Sequence, residues 1–249
     1  MTLNFLIAPD FSPERFAGWH MLNTLLQRRS GIHLHLLTPA SPAEQAALLA
    51  EGKVDMVYAN PFDAADMIRS QGYVPFARPA ERFDEMVIAT GSESSLQKLE
   101  DIQPGSRIAL TDNKDVKLIG LRLLEPADLN ESLIEWVPVE SFQAVARLTI
   151  KGGVQAGFFL AEAYASLTRM TRSQLRVLVE SRISDISHVV LAHPRMAGDL
   201  PRLGEALLGI GREPADSDVL EALGIPKGFE AMTQEDAEFM IDLMDTLLD

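Results

Sequence analysis

Strand-like and helix-like segments alternate along most of this chain, and that alternation limits the fold more than any other feature of the sequence. Strand–helix–strand repetition predicts an α/β fold with largely parallel sheets. The predicted strands are short and apolar or alternating, and they span 3–8, 32–37, 54–59, 86–90, 107–112, 133–139, 154–160, 176–181 and 188–194. The predicted helices carry apolar residues at helical spacing, and they span 14–28, 41–52, 62–72, 115–124, 141–152, 201–210 and 233–248.

The clearest helix signal is SPAEQAALLAEG at 41–52. Ser41 is a typical N-cap, the proline after it fits the first helical position, the following glutamate suits a capping box, and Gly52 ends the pattern. The same order of residue types recurs 100 residues later, where SFQAVARLTIKGGVQAGFF (141–159) lies over SPAEQAALLAEGKVDMVYA (41–59). This internal echo suggests two similar lobes.

Composition narrows the classes of partner. The 249 residues carry a formal net charge of −14, which argues against nucleic acid or an anionic membrane as the main partner. The chain has no cysteine, so disulfides, thiolate zinc sites and cysteine nucleophiles are excluded. No window is apolar over the roughly 18 residues that a membrane span needs, and MTLNFLIAPD lacks the parts of a secretory signal. We expect no membrane insertion, and either a cytoplasmic protein or the mature form of an exported one.

Motifs of enzymes and metal sites are scarce. The sequence contains no G-x-S-x-G, P-loop, G-x-G-x-x-G or H-E-x-x-H motif, so we predict no enzyme, no catalytic residue and no cofactor. His33 and His35 share one face of a predicted strand. Their alternation with apolar residues favours a solvent-facing pair over a metal site, and we predict no bound metal.

Four segments in a fixed order resemble the phosphonate-binding-protein family of ABC importers. They are AEGKVDMVYANPFDAADMI, MVIATGSESSLQKLEDIQPGSRIAL, GGVQAGFF and RVLVESRISDISHVVLAHP. The resemblance implies the type 2 periplasmic-binding-protein fold, an α/β architecture with two lobes, mostly parallel sheets and a ligand cleft between the lobes. It places lobe one at 1–88 and 182–249, and lobe two at 89–181.

The resemblance also implies a set of ligand-binding residues. Tyr58 stands at the position of a family tyrosine that lines the site. The lobe-one candidates are Asp10, Phe11 and Ser12 after the first strand, with Tyr58 and Asn60. The lobe-two candidates are Thr111, Asn113, Lys114, Phe142 and Gln143.

Several positions depart from the family's pattern. The family holds phosphoryl oxygens with a turn rich in serine and threonine, whereas TDNKDVKLIG offers only Thr111, and Asp112 or Asn113 suits the N-cap. Phe142 or Gln143 stands where the family often has histidine, and a glutamine replaces an aspartate before Ala-Gly. We expect a retained fold with a changed ligand, or with binding lost. The adjacent carboxylates at 84 and 85 leave room for a cationic or zwitterionic ligand.

The sequence therefore predicts a solute-binding protein that clamps a small polar ligand between two lobes. If the chain is exported, an ABC permease is a further partner. The alternative is a cytoplasmic sensory or adaptor protein that uses the same fold to bind a ligand or a protein partner. A catalytic derivative of the fold is a third possibility, for which no acid–base pair can be named.

Overall fold

The computed structural model of the chain describes residues 2–9, 11, 13–183 and 185–248. The chain folds into two compact units. The first unit is Met1–Phe83 with Asp185–Leu243, and the second is Asp84–Ser184 with Met244–Asp249. The lobe limits of 1–88, 89–181 and 182–249 stay a prediction about domains.

The elements follow one another in the order that an α/β chain predicts. The strands are β1 (Thr2–Ile7), β2 (His33–Leu37), β3 (Met56–Ala59), β4 (Val74–Pro79), β5 (Met86–Gly91), β6 (Arg107–Leu110), β7 (Glu135–Pro138), β8 (Ala156–Leu160), β9 (Leu175–Glu180), β10 (Val189–Ala192) and β11 (Phe229–Ala231). The helices are α1 (Phe16–Ser30), α2 (Pro42–Ala50), α3 (Pro61–Gln71), α4 (Lys114–Leu124), α5 (Phe142–Ile150), α6 (Ala161–Ser166), α7 (Arg169–Ser173), α8 (Leu200–Leu208), α9 (Ser217–Leu223) and α10 (Gln234–Leu248). Within the described residues, none of these helices is long and apolar enough to cross a membrane.

The first unit contains a six-stranded sheet in the order β11-β4-β10-β3-β1-β2. Strands β1 to β4 run in one direction, whereas β10 and β11 run in the other. Phe5, Trp19 and Tyr58 belong to its main hydrophobic core. Apolar side chains on β1 and β3 therefore fix the sheet beneath α1.

The second unit contains a five-stranded sheet in the order β7-β6-β8-β5-β9. Adjacent phenylalanines on β8 point to opposite faces of this sheet, as strand geometry requires. Phe158 joins the core with Val116 and Ile119 of α4, while Phe159 joins the core with Val145 of α5. The sheet is therefore covered by α4 on one face and by α5 and α6 on the other.

The α/β class predicted from the sequence is confirmed, but the sheets are mixed and not mostly parallel. Four pairings are parallel and five are antiparallel among the described residues. The crossover helices make their flanking strands share a direction. Strands β5 and β10 run the other way in the interior of their sheets, and each converts two pairings to antiparallel.

The sequence pattern missed several elements, namely β4, β11, α6, α7 and α9. Strand β4 reads VPFARP, and its two prolines disguise it because proline is depleted in strands. Its partner β11 has only three residues. Short elements of this kind are set by pairing with distant strands, so local periodicity does not reveal them.

The internal echo is present in the structure. Helices α2 and α5 are offset by 100 residues at both ends. In each, a serine N-cap accepts a hydrogen bond at 3.2 Å, from Glu44 N to Ser41 and from Ala144 N to Ser141. The glycines that follow the two helices share a φ of +68°, in the left-handed region that glycine adopts readily. In both units, a serine-capped helix followed by a glycine in the left-handed region therefore precedes the strand, β3 in the first unit and β8 in the second.

Gly120 lets α4 lie close against β8. A Cβ atom at this position would stand 2.2 Å from Cε2 of Phe158, whose side chain is fully buried. Helix α4 is therefore seated on the sheet by a contact that only glycine permits.

Asp55 ties three strands of the first unit together at one edge of the sheet. Its Oδ2 accepts a hydrogen bond from Asn4 N in β1 at 2.7 Å, and its Oδ1 accepts one from Arg195 Nε at 2.6 Å. Arg195 also donates to the carbonyls of Gly52 at 2.8 Å and Val54 at 2.5 Å. Because His193 N donates to Asp55 O at 2.8 Å, the chain after β10 is fixed beside the start of β3.

We predict that Gly120→Ala lowers the free energy of unfolding by about 1–3 kcal/mol, because the methyl group overpacks a filled core. Gly204→Ala in α8 is the matched control, since a Cβ there meets no heavy atom within 4 Å. That variant should gain up to about 1 kcal/mol from helix propensity. Urea unfolding of the three proteins measures both changes. Equal stabilities of the two variants would contradict the close contact of Gly120 with Phe158.

We predict that Arg195→Ala lowers the free energy of unfolding by about 3 kcal/mol, because it leaves a buried carboxylate without its cation. The Asp55 side chain is only 7% exposed. Lys53→Ala is the control, because its pair with Glu51 is exposed and such pairs contribute about 0–1 kcal/mol. Chemical unfolding measures both changes. An equal, small loss of free energy of unfolding in the two variants would contradict the role assigned to Arg195.

Candidate functional site

A pocket of about 620 Å³ lies in the second unit, where β6 and β7 end and α4 begins. Parallel strands and the helices that follow them commonly place ligands at this edge. The pocket is lined by apolar, hydroxyl, amide and charged side chains, namely Leu110, Thr111, Asp112, Asn113, Lys114, Lys117, Trp136, Pro138, Val139 and Glu140. It brings together three of the ligand residues predicted from the sequence, Thr111, Asn113 and Lys114.

Asn113 is the N-cap of α4. Its Oδ1 accepts a hydrogen bond from Val116 N at 2.9 Å, which satisfies one of the N–H groups that a helix start leaves free. The prediction that Asp112 or Asn113 caps this helix is confirmed for Asn113. The Asn113 side-chain oxygen is therefore occupied by the helix. Its NH₂ group can still donate a hydrogen bond to a ligand.

Thr111 lines the pocket and carries a hydroxyl that lies just beneath its surface. Its Oγ1 is buried and has no hydrogen-bond partner among the described residues. An unsatisfied buried hydroxyl costs about 1–3 kcal/mol, so a ligand or solvent molecule that bonds to it would be favoured. This hydroxyl is the one the sequence analysis singled out in the turn.

Lys117 and Trp136 form one wall of the pocket, and the sequence did not predict Trp136 there. Lys117 Nζ lies 2.5 Å from Glu131 Oε1 and 5.2 Å from the centroid of the Trp136 ring. The indole Nε1 donates to the carbonyl of Glu131 at 3.2 Å. Trp136 lies in the predicted strand 133–139, which runs parallel to the strand at 107–112. Because parallel strands end at the same edge of a sheet, this pairing could have indicated that Trp136 lies near Thr111.

The charges at the pocket are mixed. Lys114 is exposed and forms no ion pair within the described part of the chain, whereas the charge of Lys117 is balanced by Glu131. Asp112 and Glu140 are also exposed. The side chains that line the pocket therefore present one unbalanced cation and two carboxylates.

The structure does not place Phe142 or Gln143 in this pocket. Phe142 is half-buried and its ring lies 6.4 Å from that of Phe159, so it packs on the core. Gln143 is exposed at the start of α5, whose N-cap is Ser141. The family resemblance predicted both as ligand residues, but Phe142 packs against Phe159 of β8.

The lobe-one candidates lie in the first unit. Tyr58 is 4% exposed, and its ring lies 4.6 Å from that of Trp19 and 4.9 Å from that of His188. Phe11 is half-buried, 6.2 Å from Trp19. The structure thus brings Phe11 and Tyr58 together through Trp19, a buried residue of α1. Two further candidates, Asp10 and Ser12, lie outside the described residues.

Asn60 caps α3. Its Oδ1 accepts from Asp63 N at 2.9 Å, and its Nδ2 donates to Asp63 Oδ2 at 3.0 Å. The same carboxylate accepts a bond from Gln45 Nε2 at 2.5 Å. The local use of Asn60 is structural, and its role toward a ligand stays a prediction.

The remaining polar candidates lie outside the pocket at the start of α4. Asp84 is buried, and the Glu85 carboxylate accepts a hydrogen bond from Ser181. His33 and His35 are both exposed on β2. No group of three or more histidine, cysteine, aspartate or glutamate residues in the described ranges could hold a metal ion.

A second depression, of about 660 Å³, lies in the first unit between α1 and residues 213–219. Arg29 Nη2 donates to Asp216 Oδ1 at 2.7 Å, and Gly211 N donates to Oδ2 at 2.8 Å. Burial by itself would raise the pKa of Asp216, but the donors, which include Glu213 N, outweigh it and lower that pKa. The sequence predicted no site here, because the depression joins a helix to a polar stretch far along the chain.

Comparison with known proteins assigns the chain to a family. Residues 5–237 match the model of the periplasmic substrate-binding protein of phosphonate ABC transporters. The chain belongs to this family, and the family predicted from the sequence is therefore confirmed. A comparison with curated proteins finds no match.

Solved structures show the same fold at low sequence identity. PhnD1 from Prochlorococcus marinus, in complex with methylphosphonate, is 12% identical with a TM-score of 0.82, over 99% of this chain and 98% of that one. A binding protein component of an ABC phosphonate transporter from Pseudomonas aeruginosa is 14% identical with a TM-score of 0.79, over 100% and 89%. The periplasmic aliphatic sulphonate binding protein SsuA from Escherichia coli is 16% identical with a TM-score of 0.67, over 99% and 86%. The type 2 periplasmic-binding-protein fold predicted from the sequence is confirmed.

Proposed function

We propose that this chain is a solute-binding protein that holds a small polar ligand in the pocket at the start of α4 and carries out no catalysis. The observation that carries the proposal is the buried, unpartnered hydroxyl of Thr111 in a pocket of about 620 Å³. Pockets of about 300–1,000 Å³ with a few convergent polar groups are typical of small-molecule sites. Family membership supports the same class of function.

The ligand in this proposal is not held as the family holds a phosphonate. One threonine replaces the hydroxyl-rich turn, and Asn113 already uses its side-chain oxygen on the helix. Phe142 is packed against Phe159. These contacts support a site in which the phosphonate residues are largely replaced. The clamp between two lobes, inferred from the resemblance, remains a prediction.

Delivery to an ABC permease is the role that the family suggests. The named ligands of the similar structures, methylphosphonate for PhnD1 and aliphatic sulphonates for SsuA, are small and anionic. These ligands support the proposal that this chain binds a small polar solute. The residues of its own pocket determine which solute it binds.

A thermal-shift screen against phosphate, methylphosphonate, sulfate, amino acids and polyamines tests the proposal. A solute at one hundred times its dissociation constant adds about 2.7 kcal/mol, which should raise Tm by about 5–10 °C for a chain of this size. Thr111→Val should keep its own stability, because a methyl group replaces an unpaired hydroxyl. It should also lose at least half of the ligand-induced shift.

Thr2→Val is the matched control, because it makes the same chemical change at an exposed position of β1. It should retain the full ligand-induced shift. A chain that responds to no solute would contradict the proposal. That result would favour the alternative predicted from the sequence, a sensory or adaptor protein.

A further inference from the structure

One cation that lines the pocket at the start of α4 is held by a carboxylate that does not line it. Lys117 is among the lining residues, whereas Glu131 is not, and Lys117 Nζ lies 2.5 Å from Glu131 Oε1. Glu131 begins the short turn Glu131–Leu133. Asn130 caps this turn, because its Oδ1 accepts hydrogen bonds from Ser132 N at 3.0 Å and from Ser132 Oγ at 2.7 Å. Local interactions therefore fix the backbone from which the Glu131 side chain reaches α4.

The backbone of Glu131 also positions the ring beside Lys117. Its carbonyl oxygen accepts a hydrogen bond from Trp136 Nε1 at 3.2 Å, and Lys117 Nζ lies 5.2 Å from the centroid of the Trp136 ring. Lys117 thus has two favourable partners, a carboxylate and the face of an aromatic ring. An anionic solute that draws on the charge of Lys117 must compete with both of them.

The charge of Glu131 tips the balance of charges around the pocket. The lining charges cancel one another, and they belong to Lys114, Lys117, Asp112 and Glu140. Glu131 adds a third carboxylate beside Lys117, which gives two positive and three negative charges, a net charge of −1. A dianion is repelled by this excess whereas a solute without net charge is not, because the Coulomb energy scales with the product of the charges.

These contacts, together with the proposed function on which the inference rests, give Glu131 a role in specificity. We infer that Glu131 determines the charge selectivity of the pocket. By keeping Lys117 in an ion pair, it lowers the affinity for dianions such as sulfate and leaves the affinity for polar solutes without net charge unchanged. Glu131 does not touch the solute, and it acts as a positioning residue through Lys117.

Isothermal titration of the full chain with sulfate, a dianion, and with glycine, which carries no net charge at pH 7, tests the inference. The ionic strength is held constant, because salt screens such charges. Glu131→Gln should strengthen the binding of sulfate at least about threefold, since it removes one negative charge near the solute. It should change the binding of glycine by less than about twofold. The substitution keeps the backbone carbonyl that Trp136 uses.

Two further variants show whether Glu131 acts through Lys117. In a Lys117→Met background, Glu131→Gln should leave the binding of sulfate within about twofold, because the cation that it releases is absent. Glu135→Gln is the matched control. Glu135 is also an exposed glutamate in an ion pair, with Arg107 at 3.0 Å, and neither of these two residues lines the pocket. This variant should bind both probes as the unmodified chain does.

The inference and the proposed function fail in different ways. An unchanged affinity for sulfate in Glu131→Gln, or an equal gain in Glu135→Gln, would overturn the inference and leave a solute-binding protein. An equal gain for glycine would also overturn it, because a change of shape would then be responsible. A gain that persists in the Lys117→Met background would overturn the role of Lys117. No heat from sulfate in any of the proteins would overturn the inference, and the proposed function would fail as well only if the thermal-shift screen were also silent.

Discussion

The buried carboxylate of Asp55 is the constraint on which the first unit depends. It joins β1 through Asn4 N and the segment after β10 through Arg195, while its own backbone leads into β3. These three strands are neighbours in the sheet order, yet Arg195 lies 140 residues away from Asp55 in sequence. A charge of this kind is costly to bury alone and must keep its partner. The hydrogen bonds of Asp55 therefore hold β1, β3 and β10 side by side. They thereby position β3, which ends next to Tyr58 and Asn60.

The second unit depends on a steric constraint between α4 and the face of its sheet. Gly120 allows α4 to rest on Phe158, and Asn113 caps the start of the helix at a defined residue. Trp136 is positioned by the same helix, since Lys117 lies over its ring. The position of α4 on the sheet therefore determines the shape of the pocket. Its ligand chemistry follows from the residues at the helix start, and the fold shared with PhnD1 and SsuA leaves those residues free to change.

Local signals in the sequence predicted what local interactions control. The serine caps and glycine stops placed α2 and α5, because both devices act within a few residues. Thr111, Asn113 and Lys114 were predicted from the family resemblance, which places a ligand-binding turn at these positions. The directions of β5 and β10 could not be predicted, because they are fixed by pairing with distant strands. Phe142 was predicted as a ligand residue because the resemblance sets it where the family often has histidine, but its packing against Phe159 shows that it turns inward. Trp136 was not predicted as a pocket residue, because the residues of its own strand do not indicate that Lys117 of α4 lies over its ring.

The central claim is that a solute binds in the pocket formed by residues 110–117 and 136–140. Hydrogen–deuterium exchange of the full chain, with and without the solute that gives the largest thermal shift, tests it most directly. The account predicts slower exchange in peptides that cover the start of α4 and the end of β7, because a bound ligand orders these backbone groups. Protection confined to α1 and residues 213–219 would contradict the account, and would move the ligand to the depression beside Asp216.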